Sequence, residues 1–369
     1  MEIVKRRLLF ILHMPPPVHG AAIVGQNIHD SELINSEFDC HYINLATALG
    51  LEDIGKFKFK KVISFYNLLC QIFRAIKELN PDLVYVTPNA KGAPFYKDFI
   101  VVMMLKRMGC KMIAHYHNKG VSSRQDKLLD NLLYRHFFKN LKVILLSERL
   151  YPDIQKYVKR ENVYVCPNGI LERNEERKIG SQNKIPHILF LSNLLIEKGV
   201  LVLLDALRIL KGNGFLFICD MVGGETAEID AKYLNDEIHG SGLQTVVLYH
   251  GKRYGKEKDT FFKNADMFVF PTFYNNECFP LVLLEAMQHS LPIVTTDEGG
   301  ILDIVKDGEN GYICKRNNPE DLAKKLMLLL DAKQLRQEMG QDGYKKYKNH
   351  FTLEMFERRF SDILHILTE

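Results

Sequence analysis

The feature that most constrains the fold is a repeated alternation of short apolar runs with longer stretches of helical spacing. Short apolar runs bounded by turn residues suit parallel strands that are covered on both faces. The alternation occurs once before and once after a polar, charged segment at Asn174–Lys184. Predicted strands are Leu8–Leu12, Leu83–Val86, Lys111–His115, Val143–Leu146 and Val163–Cys166, then Ile188–Leu191, Phe215–Val222, Val246–Tyr249, Met267–Phe270 and Pro292–Thr295. Predicted helices are Ile63–Leu79, Lys127–Phe138, Val200–Leu210, Leu281–Gln288 and Asp321–Leu330.

Strands and helices that alternate in both halves predict an α/β protein with two doubly wound, Rossmann-like domains. The length of 369 residues is about twice that of a typical domain. We place the first domain at residues 1–178 and the second at 185–350. An amphipathic C-terminal helix at 352–369 is expected to pack back on the first domain. Because ligands bind beyond the carboxyl ends of such strands, two facing domains would form a binding cleft.

The N-terminus and the cysteines bear on the compartment. Lys5-Arg6-Arg7 and Leu8–Leu12 resemble the start of a signal peptide, but the apolar run is shorter than the roughly 7–15 residues required. We therefore interpret it as a buried first strand. No apolar stretch approaches the ~20 residues of a membrane span. The seven cysteines have neither CxxC nor metal-like spacing, which is typical of reduced thiols. We expect a cytoplasmic protein.

Charge is distributed unevenly along the chain. Residues 1–180 contain 27 Lys and Arg against 18 Asp and Glu, a net charge of +9, whereas the remainder contains 22 against 27, a net charge of −5. A basic first half favours an anionic partner, either nucleic acid or a membrane surface. The segment Lys56–Lys61 (KFKFKK) mixes basic and aromatic residues, a combination that binds anionic leaflets. A solvated edge leading into a core helix is an equally good interpretation of that segment.

The most specific chemical signal is a pair of glutamates, Glu277 and Glu285, on either side of a predicted strand-to-helix junction. Pro280 suits the first helical turn, which places Glu277 in the preceding loop and Glu285 about two turns into the helix. Phe279, Pro280 and Leu281 form the predicted helix start, and the free backbone N–H groups there would favour an anion such as a phosphate. Two carboxylates beside a phosphate site suit a nucleotide sugar, which has hydroxyls on both sides of its pyrophosphate. The alternative is an ordinary helix with two solvated carboxylates.

This segment resembles the E-x7-E motif of the retaining GT-B glycosyltransferases of family 4. Similar segments follow the family's order over essentially the whole chain: Pro167–Ile170 (PNGI), Phe190–Gly199 (FLSNLLIEKG), Val222–Gly224 (VGG), Gly299–Ile301 (GGI) and Asp307–Tyr312 (DGENGY). The resemblance implies a GT-B fold with two Rossmann-like domains. It also implies retaining, metal-independent transfer of a sugar from a UDP- or GDP-sugar to a hydroxyl acceptor, with no cofactor.

The resemblance also implies roles for residues of the second half. Glu285 would bind the ribose hydroxyls and Glu277 the hydroxyls of the donor sugar, since a carboxylate accepts hydrogen bonds and donates none. Lys198, in the sequence EKG, would lie against the pyrophosphate and neutralise the leaving group. Asn193, among the expected donor-binding residues, stands where the family usually has an arginine. Another residue must therefore compensate for the missing charge.

In the first half, the candidate residues follow two predicted strands. Gly20 and Ala21 open a helix after the proline-rich first loop, and small residues there let a phosphate or sugar approach the backbone. His117 matches the family's histidine at a strand end, which reaches the donor sugar. His115, two residues earlier, is interpreted as a core or supporting histidine. The HxH spacing also raises a zinc site, but the third ligand has no obvious source, so we predict no metal.

The acceptor implied by the resemblance is a sugar or a lipid-linked sugar in surface polysaccharide or glycolipid biosynthesis, entering from the first domain. A peripheral location at an anionic inner membrane face would agree with a lipid-linked acceptor. Two alternatives stay open. One is an inverting GT-B transferase or a sugar-nucleotide epimerase, against which the E-x7-E motif argues. The other is a non-catalytic nucleotide- or nucleic-acid-binding protein, but the chain has no groove-reading motif, and we predict no nucleic-acid partner.

Overall fold

The computed structural model describes residues 5–16, 18–45, 58–172 and 183–369, without the side chains of residues 58–61. The chain divides into two compact units, the first comprising Met1–Asn168 and Leu353–Glu369 and the second Gly169–Thr352. The predicted linker lies outside the described residues, apart from its last two positions.

The first unit is built on a parallel six-stranded sheet. Its strands are β1 (Arg7–Leu12), β2 (Asp39–Asn44), β3 (Leu83–Val86), β4 (Met112–Tyr116), β5 (Lys142–Leu145) and β6 (Val163–Val165), in the order β2-β1-β3-β4-β5-β6. The helices are α1 (Gly20–Asp30), α2 (Glu32–Glu37), α3 (Lys58–Leu79), α4 (Gly92–Arg107), α5 (Leu128–Phe138) and the last helix of the chain, α13 (Leu353–Thr368). The apolar residues of β1, Leu8–Leu12, are fully buried, as expected for a central parallel strand.

Helix α13 packs on the sheet of the first unit through the apolar face that its sequence shows. The Phe360 ring centroid lies 5.3 Å from that of Tyr85 on β3 and 6.5 Å from that of Phe10 on β1. Phe356 and Leu364 are buried on the same face. Burial of these aromatic side chains contributes the stabilisation that keeps the helix on this sheet.

The second unit repeats the same architecture. Its strands are β7 (His187–Leu191), β8 (Ile218–Val222), β9 (Val247–Tyr249), β10 (Met267–Phe270), β11 (Ile293–Thr295) and β12 (Gly311–Ile313), all parallel in the order β12-β11-β10-β7-β8-β9. The helices are α6 (Val200–Gly212), α7 (Ala231–Gly240), α8 (Gly255–Asn264), α9 (Leu281–Gln288), α10 (Ile301–Ile304), α11 (Pro319–Asp331) and α12 (Lys333–His350).

The predicted α/β class with two parallel sheets is confirmed. Each predicted strand coincides with an observed one, although the predicted strand Phe215–Val222 begins only at Ile218. Two strands were not predicted: β2 is a half-polar edge strand (DCHYIN), and β12 is only three residues long. Within the part of the chain that the structure describes, none of the helices has both the length and the apolar character needed to cross a bilayer.

Candidate active site

The loop after β7, Ser192–Gly199, is held against the end of β8 by backbone contacts. The Leu194 N–H donates to the Gly224 carbonyl at 2.8 Å, and the Ser192 N–H donates to the Val222 carbonyl at 3.0 Å. A β-carbon at Gly223 would lie 1.7 Å from the Ser192 carbonyl oxygen, so only glycine permits this approach. The VGG sequence therefore fixes the position of the loop that contains Asn193 and Lys198.

Lys198 ends a short 3₁₀ turn at Ile196–Lys198, and the next residue reverses the chain into α6. Gly199 has a φ of +82°, and a β-carbon there would lie 2.2 Å from the Pro271 carbonyl oxygen. The Phe273 N–H donates to the Glu197 carbonyl at 2.8 Å, which ties the loop after β10 to the Lys198 turn. Gly199 is thus required by the backbone geometry, and this geometry holds Lys198 beside β10.

The E-x7-E segment follows β10 and leads into α9, as predicted. Pro280 is not in the first helical turn: with ψ 118° it is the extended capping residue before Leu281. This corrects the sequence expectation by one position, and the missing N–H of proline is equally harmless there. A β-carbon at Gly299, whose φ is +57°, would lie 2.3 Å from the Glu277 carbonyl oxygen. The Gly300 N–H donates to the Cys278 carbonyl at 2.7 Å, so the GGI sequence positions the loop before α9.

Lys198 and Glu277 form an ion pair between Lys198 Nζ and Glu277 Oε2. Only 15% of the Lys198 side chain and 10% of the Glu277 side chain are exposed. The Lys198 ammonium lies 4.6 Å from the ring centroid of Tyr274 and 5.3 Å from that of Phe270, within cation–π range. Among the described residues, the neighbouring Asn276 Oδ1 is buried and has no hydrogen-bond partner. This sheltered cation, carboxylate and unsatisfied amide oxygen together suit a polar ligand.

Glu285 also has a cationic partner, which the sequence analysis missed. Lys258 Nζ on α8 lies 2.5 Å from Glu285 Oε1, and about a fifth of each side chain is exposed. His289 is the C-cap residue of α9. Its Nδ1 lies 2.8 Å from the Glu285 carbonyl oxygen, and its Nε2 lies 2.8 Å from Asp259 Oδ1. The cluster of basic residues at 252–258 was the sequence signal that could have indicated Lys258.

Asn193, at the position where an arginine was expected, lies near a second lysine, Lys252. A β-carbon at Gly224 would lie 3.2 Å from Asn193 Oδ1 and 3.3 Å from Lys252 Cδ, so both side chains border the same glycine. The Lys252 ammonium lies 5.0 Å from the ring centroid of Tyr254. Among the described residues, Lys252 forms no ion pair with a carboxylate. Its charge is therefore available to an anion next to Asn193.

In the first unit, Gly20 and Ala21 are the first residues of α1, as predicted. His19 caps this helix: its Nδ1 accepts a hydrogen bond from the Ala22 N–H at 3.3 Å. A β-carbon at Gly20 would meet nothing within 4 Å, so the space above the helix start is open. The glycine that packing requires is Gly25, where a β-carbon would lie 2.0 Å from the His13 carbonyl oxygen. The sequence did not predict this role of Gly25.

His117 follows β4, and its ring centroid lies 4.2 Å from that of His115. Burial, followed by the charges of His13 and His19, lowers the pKa of His117 to about 3. Its imidazole is therefore neutral at physiological pH. Within the described ranges, its Nε2 is buried without a hydrogen-bond partner. His115 is a core residue whose Nδ1 lies 2.7 Å from the Tyr85 hydroxyl.

The structure thus brings Lys198 to Glu277 and Lys258 to Glu285 in the second unit, whereas His117, Gly20 and Ala21 belong to the first. In the described part of the chain, no group of three or more His, Cys, Asp or Glu side chains is placed to bind a metal ion.

Of the basic segment Lys56–Lys61, the first two residues and all the side chains lie outside the described residues. The helix that continues it, α3, exposes Val62, Ile63, Tyr66 and Phe73.

Comparison with known families assigns the second unit. Residues 172–346 match the model of the family described as Glycosyl transferases group 1. This segment is therefore a Glycosyl transferases group 1 domain.

The sequence relatives are glycosyltransferases. The chain is 28% identical to a glycosyltransferase of Methanocaldococcus jannaschii, MJ1178, over 62% of this chain and 61% of that protein. It is 27% identical to CapM, a capsular polysaccharide biosynthesis glycosyltransferase of Staphylococcus aureus, over 70% of this chain and 63% of that protein. The chain thus spans about six tenths of the length of these curated relatives.

The solved structures agree on the fold. The HepE protein of Anabaena, solved in complex with UDP, superposes with a TM-score of 0.74 at 15% identity, covering 98% of this chain and 99% of HepE. The GT-B class predicted from the sequence is confirmed by such neighbours, and at this identity the likeness concerns the fold alone.

Proposed function

We propose that this protein is a retaining glycosyltransferase of family 4 that moves a sugar from a nucleotide sugar to a hydroxyl acceptor. The observation behind this proposal is the sheltered Lys198–Glu277 pair beside the start of α9. A buried cation close to free backbone N–H groups suits a pyrophosphate, and the carboxylates of Glu277 and Glu285 suit hydroxyls on either side of it. The Glycosyl transferases group 1 domain contains all of these residues.

Catalysis would consist mainly of positioning and electrostatic stabilisation. As the bond between sugar and phosphate breaks, negative charge grows on the leaving nucleoside diphosphate, and Lys198 with the Phe279–Leu281 helix start would stabilise it. Glu277 would accept hydrogen bonds from the donor sugar, with His117 acting on the same sugar as a neutral imidazole. The acceptor hydroxyl would attack from the side that the leaving group departs, which preserves the anomeric configuration.

Both glutamates are paired with lysines in the structure. Donor binding would then exchange partners: the ammonium groups would turn to phosphate oxygens, and the carboxylates would accept from sugar and ribose hydroxyls. Charge-assisted hydrogen bonds replace charge-assisted hydrogen bonds in this exchange, so the buried charges are never left unpaired.

The donor is proposed to be a UDP- or GDP-sugar, and the acceptor a sugar or lipid-linked sugar in surface polysaccharide or glycolipid biosynthesis. A crystal structure of HepE in complex with UDP-glucose supports the donor class. The names of relatives in capsular polysaccharide and colanic acid biosynthesis support the acceptor class.

Donor binding should raise the melting temperature of the protein. A ligand at a hundredfold excess over Kd stabilises the folded state by about 2.7 kcal/mol, or roughly 5 °C or more for a domain of this size. Differential scanning fluorimetry with UDP, GDP, ADP and their sugar conjugates measures this shift, with free glucose as the control. We expect the shift to persist in EDTA. A shift that disappears in EDTA and returns with manganese would contradict the metal-independent mechanism.

We propose that Lys252 supplies the positive charge that family members usually obtain from an arginine at the position of Asn193. Replacing it with glutamine should raise the donor Kd about tenfold, because one charge-assisted contact to phosphate is lost. The matched control is Arg253→Gln, which removes the adjacent exposed charge and should change the Kd little. Asn193→Arg should restore affinity when combined with Lys252→Gln. Equal affinities for wild type and Lys252→Gln in isothermal titration would exclude this role.

An anionic membrane surface is proposed as a further partner, on the basis of the +9 first half and the exposed apolar residues of α3. Each basic residue near such a surface contributes about 1 kcal/mol, and the effect fades beyond a Debye length of ~10 Å at 0.1 M salt. Co-sedimentation with acidic phospholipid vesicles at low salt should show binding. Changing Lys56, Lys58, Lys60 and Lys61 to glutamine should weaken it, unlike the same changes at Lys232, Lys324, Lys333 and Lys345. Wild-type protein that stays in the supernatant would contradict the proposal.

A further inference from the structure

A cavity of about 460 Å³ opens in the first unit at the amino-terminal edge of its sheet. Leu83, Met112 and Lys142, the first residues of β3, β4 and β5, all line it. The candidate residues His117, Gly20 and Ala21 follow the carboxyl ends of strands in the same unit. The cavity therefore lies at the opposite edge of the sheet and is separate from the chemistry proposed above.

Part of the cavity lining is apolar. Leu83 and Leu367, each 1% exposed, line the cavity together with Met103 and Met112. A cavity of several hundred cubic ångströms with an apolar lining and a few polar groups has the size and composition of a small-molecule site.

The remaining lining is strongly cationic, and one of its lysines has a structural role. Lys106 Nζ donates to the carbonyls of His136 and Phe137 at 2.6 Å and of Lys139 at 2.7 Å, which satisfies the C-terminal end of α5. Burial, together with the nearby charge of Lys139, lowers the pKa of Lys106 to about 8. The site thus penalises further positive charge.

Other cations of the cavity are not used in this way. Within the described ranges, the partner of Lys142 Nζ is Tyr164, whose hydroxyl lies at 3.3 Å and whose ring centroid lies at 5.7 Å. Among the described residues, the side chains of Lys111 and Lys139 form no hydrogen bond and no ion pair. These two side chains are exposed at the cavity and are free to contact an anion.

No described Asp or Glu side chain lines the cavity to balance these charges. The nearest carboxylate in sequence to Leu83 is Asp82, which accepts a hydrogen bond from the Arg7 N–H at 2.8 Å and lies 3.7 Å from Arg6 Nη1. Like charges held together without a counterion repel one another, so an external anion would relieve the repulsion.

We propose that this cavity binds a phosphate-bearing ligand with an apolar body, the phosphate contacting Lys111 and Lys139 and the apolar part lying against Leu83, Met112 and Leu367. Lysine suits phosphate as a compact point charge, whereas a neutral apolar ligand would leave the cationic rim unpaired. The ligand is either an acidic phospholipid or a soluble phosphate ester, because both have this chemistry.

Met103 and Met112 provide reporters inside the cavity. In protein labelled with ¹³C at the methionine methyl groups, Met103→Leu and Met112→Leu assign the two signals. Dioctanoyl phosphatidic acid below its micelle concentration should shift both signals, whereas dioctanoylglycerol, which lacks the phosphate, should not. Inorganic phosphate is the third probe. Lipid affinity at least tenfold above that of inorganic phosphate indicates a lipid ligand, and similar affinities indicate a soluble phosphate ester.

The charge dependence is tested by the double variant Lys111→Gln/Lys139→Gln, which should weaken binding of the phosphatidic acid at least tenfold. The matched control Lys127→Gln/Lys159→Gln removes two exposed lysines elsewhere on the same unit and should leave affinity unchanged. Both variants should keep the nucleotide-sugar melting shift, which separates this site from the proposed function. If neither phosphate compound moves the two methionine signals, or if the Lys111/Lys139 variant binds as the wild type does, the proposal is wrong.

Discussion

Replacing Lys198 with alanine should lower kcat by roughly 10²-fold or more while leaving the fold intact. The Lys198 side chain is only 15% exposed, so its ammonium would act on the leaving phosphate in a sheltered environment where a fixed charge is strongest. Losing one such preorganised group typically costs about 10²–10³ in kcat. The effect should be large here because Asn193 provides no second charge from the same loop. Initial-rate kinetics with a saturating donor measure it.

The matched control is Lys324→Ala, which removes an exposed lysine from α11 of the same unit and should leave kcat unchanged. Removing Lys198 also leaves Glu277 unpaired in a largely buried position, so the melting temperature of each variant must be recorded. A Lys198→Ala enzyme that melts near the wild-type temperature but keeps kcat within threefold would exclude Lys198 from catalysis.

Replacing Glu285 with alanine should raise the donor Kd by about 10- to 100-fold. The carboxylate would bind the ribose hydroxyls, and hydrogen bonds to a charged group contribute about 1.5–3 kcal/mol each. The substitution also removes the partner of Lys258, but the Lys258 side chain is 21% exposed and its ammonium can be hydrated. Isothermal titration with the nucleoside diphosphate isolates the ribose contact, because the sugar is absent from that ligand.

Glu257→Ala is the control, since Glu257 is a largely exposed glutamate on the neighbouring helix α8. It should bind the nucleotide as the wild type does. If Glu285→Ala also binds the nucleoside diphosphate with wild-type affinity, Glu285 does not contact the ribose, and its role is limited to the ion pair with Lys258.

The sequence predicted much of the fold because buried parallel strands have a distinctive apolar pattern. Strands such as β3 (LVYV) and β10 (MFVF) are uniformly buried, and their sequences show it directly. The edge strand β2 (DCHYIN) mixes polar and apolar residues and buries only Ile43, so its sequence does not distinguish it from a loop. Edge strands have one unpaired side and tolerate polar residues, which weakens their sequence signal.

The site was predictable where motif and backbone geometry coincide. Gly199, Gly223 and Gly299 each permit a backbone approach that any side chain would block, so the KG, VGG and GGI sequences report fixed loops. Contacts of Lys252 with an anion and of Lys258 with a carboxylate were not predicted, because an exposed basic cluster has the same sequence whether its charges face solvent or such a partner. Only the positions of Asn193 and Glu285 in three dimensions distinguish these cases.

The most direct test of retaining transfer from a nucleotide sugar is ¹H NMR of the anomeric protons during turnover in EDTA. With water as a slow acceptor, the enzyme should cleave an α-linked UDP- or GDP-sugar and release α-sugar first, before mutarotation produces the β-anomer. The Lys198→Ala variant should show no comparable release under the same conditions. Initial release of the β-anomer would contradict retention, and the absence of nucleoside diphosphate release from every donor and acceptor tested would contradict the proposed activity itself.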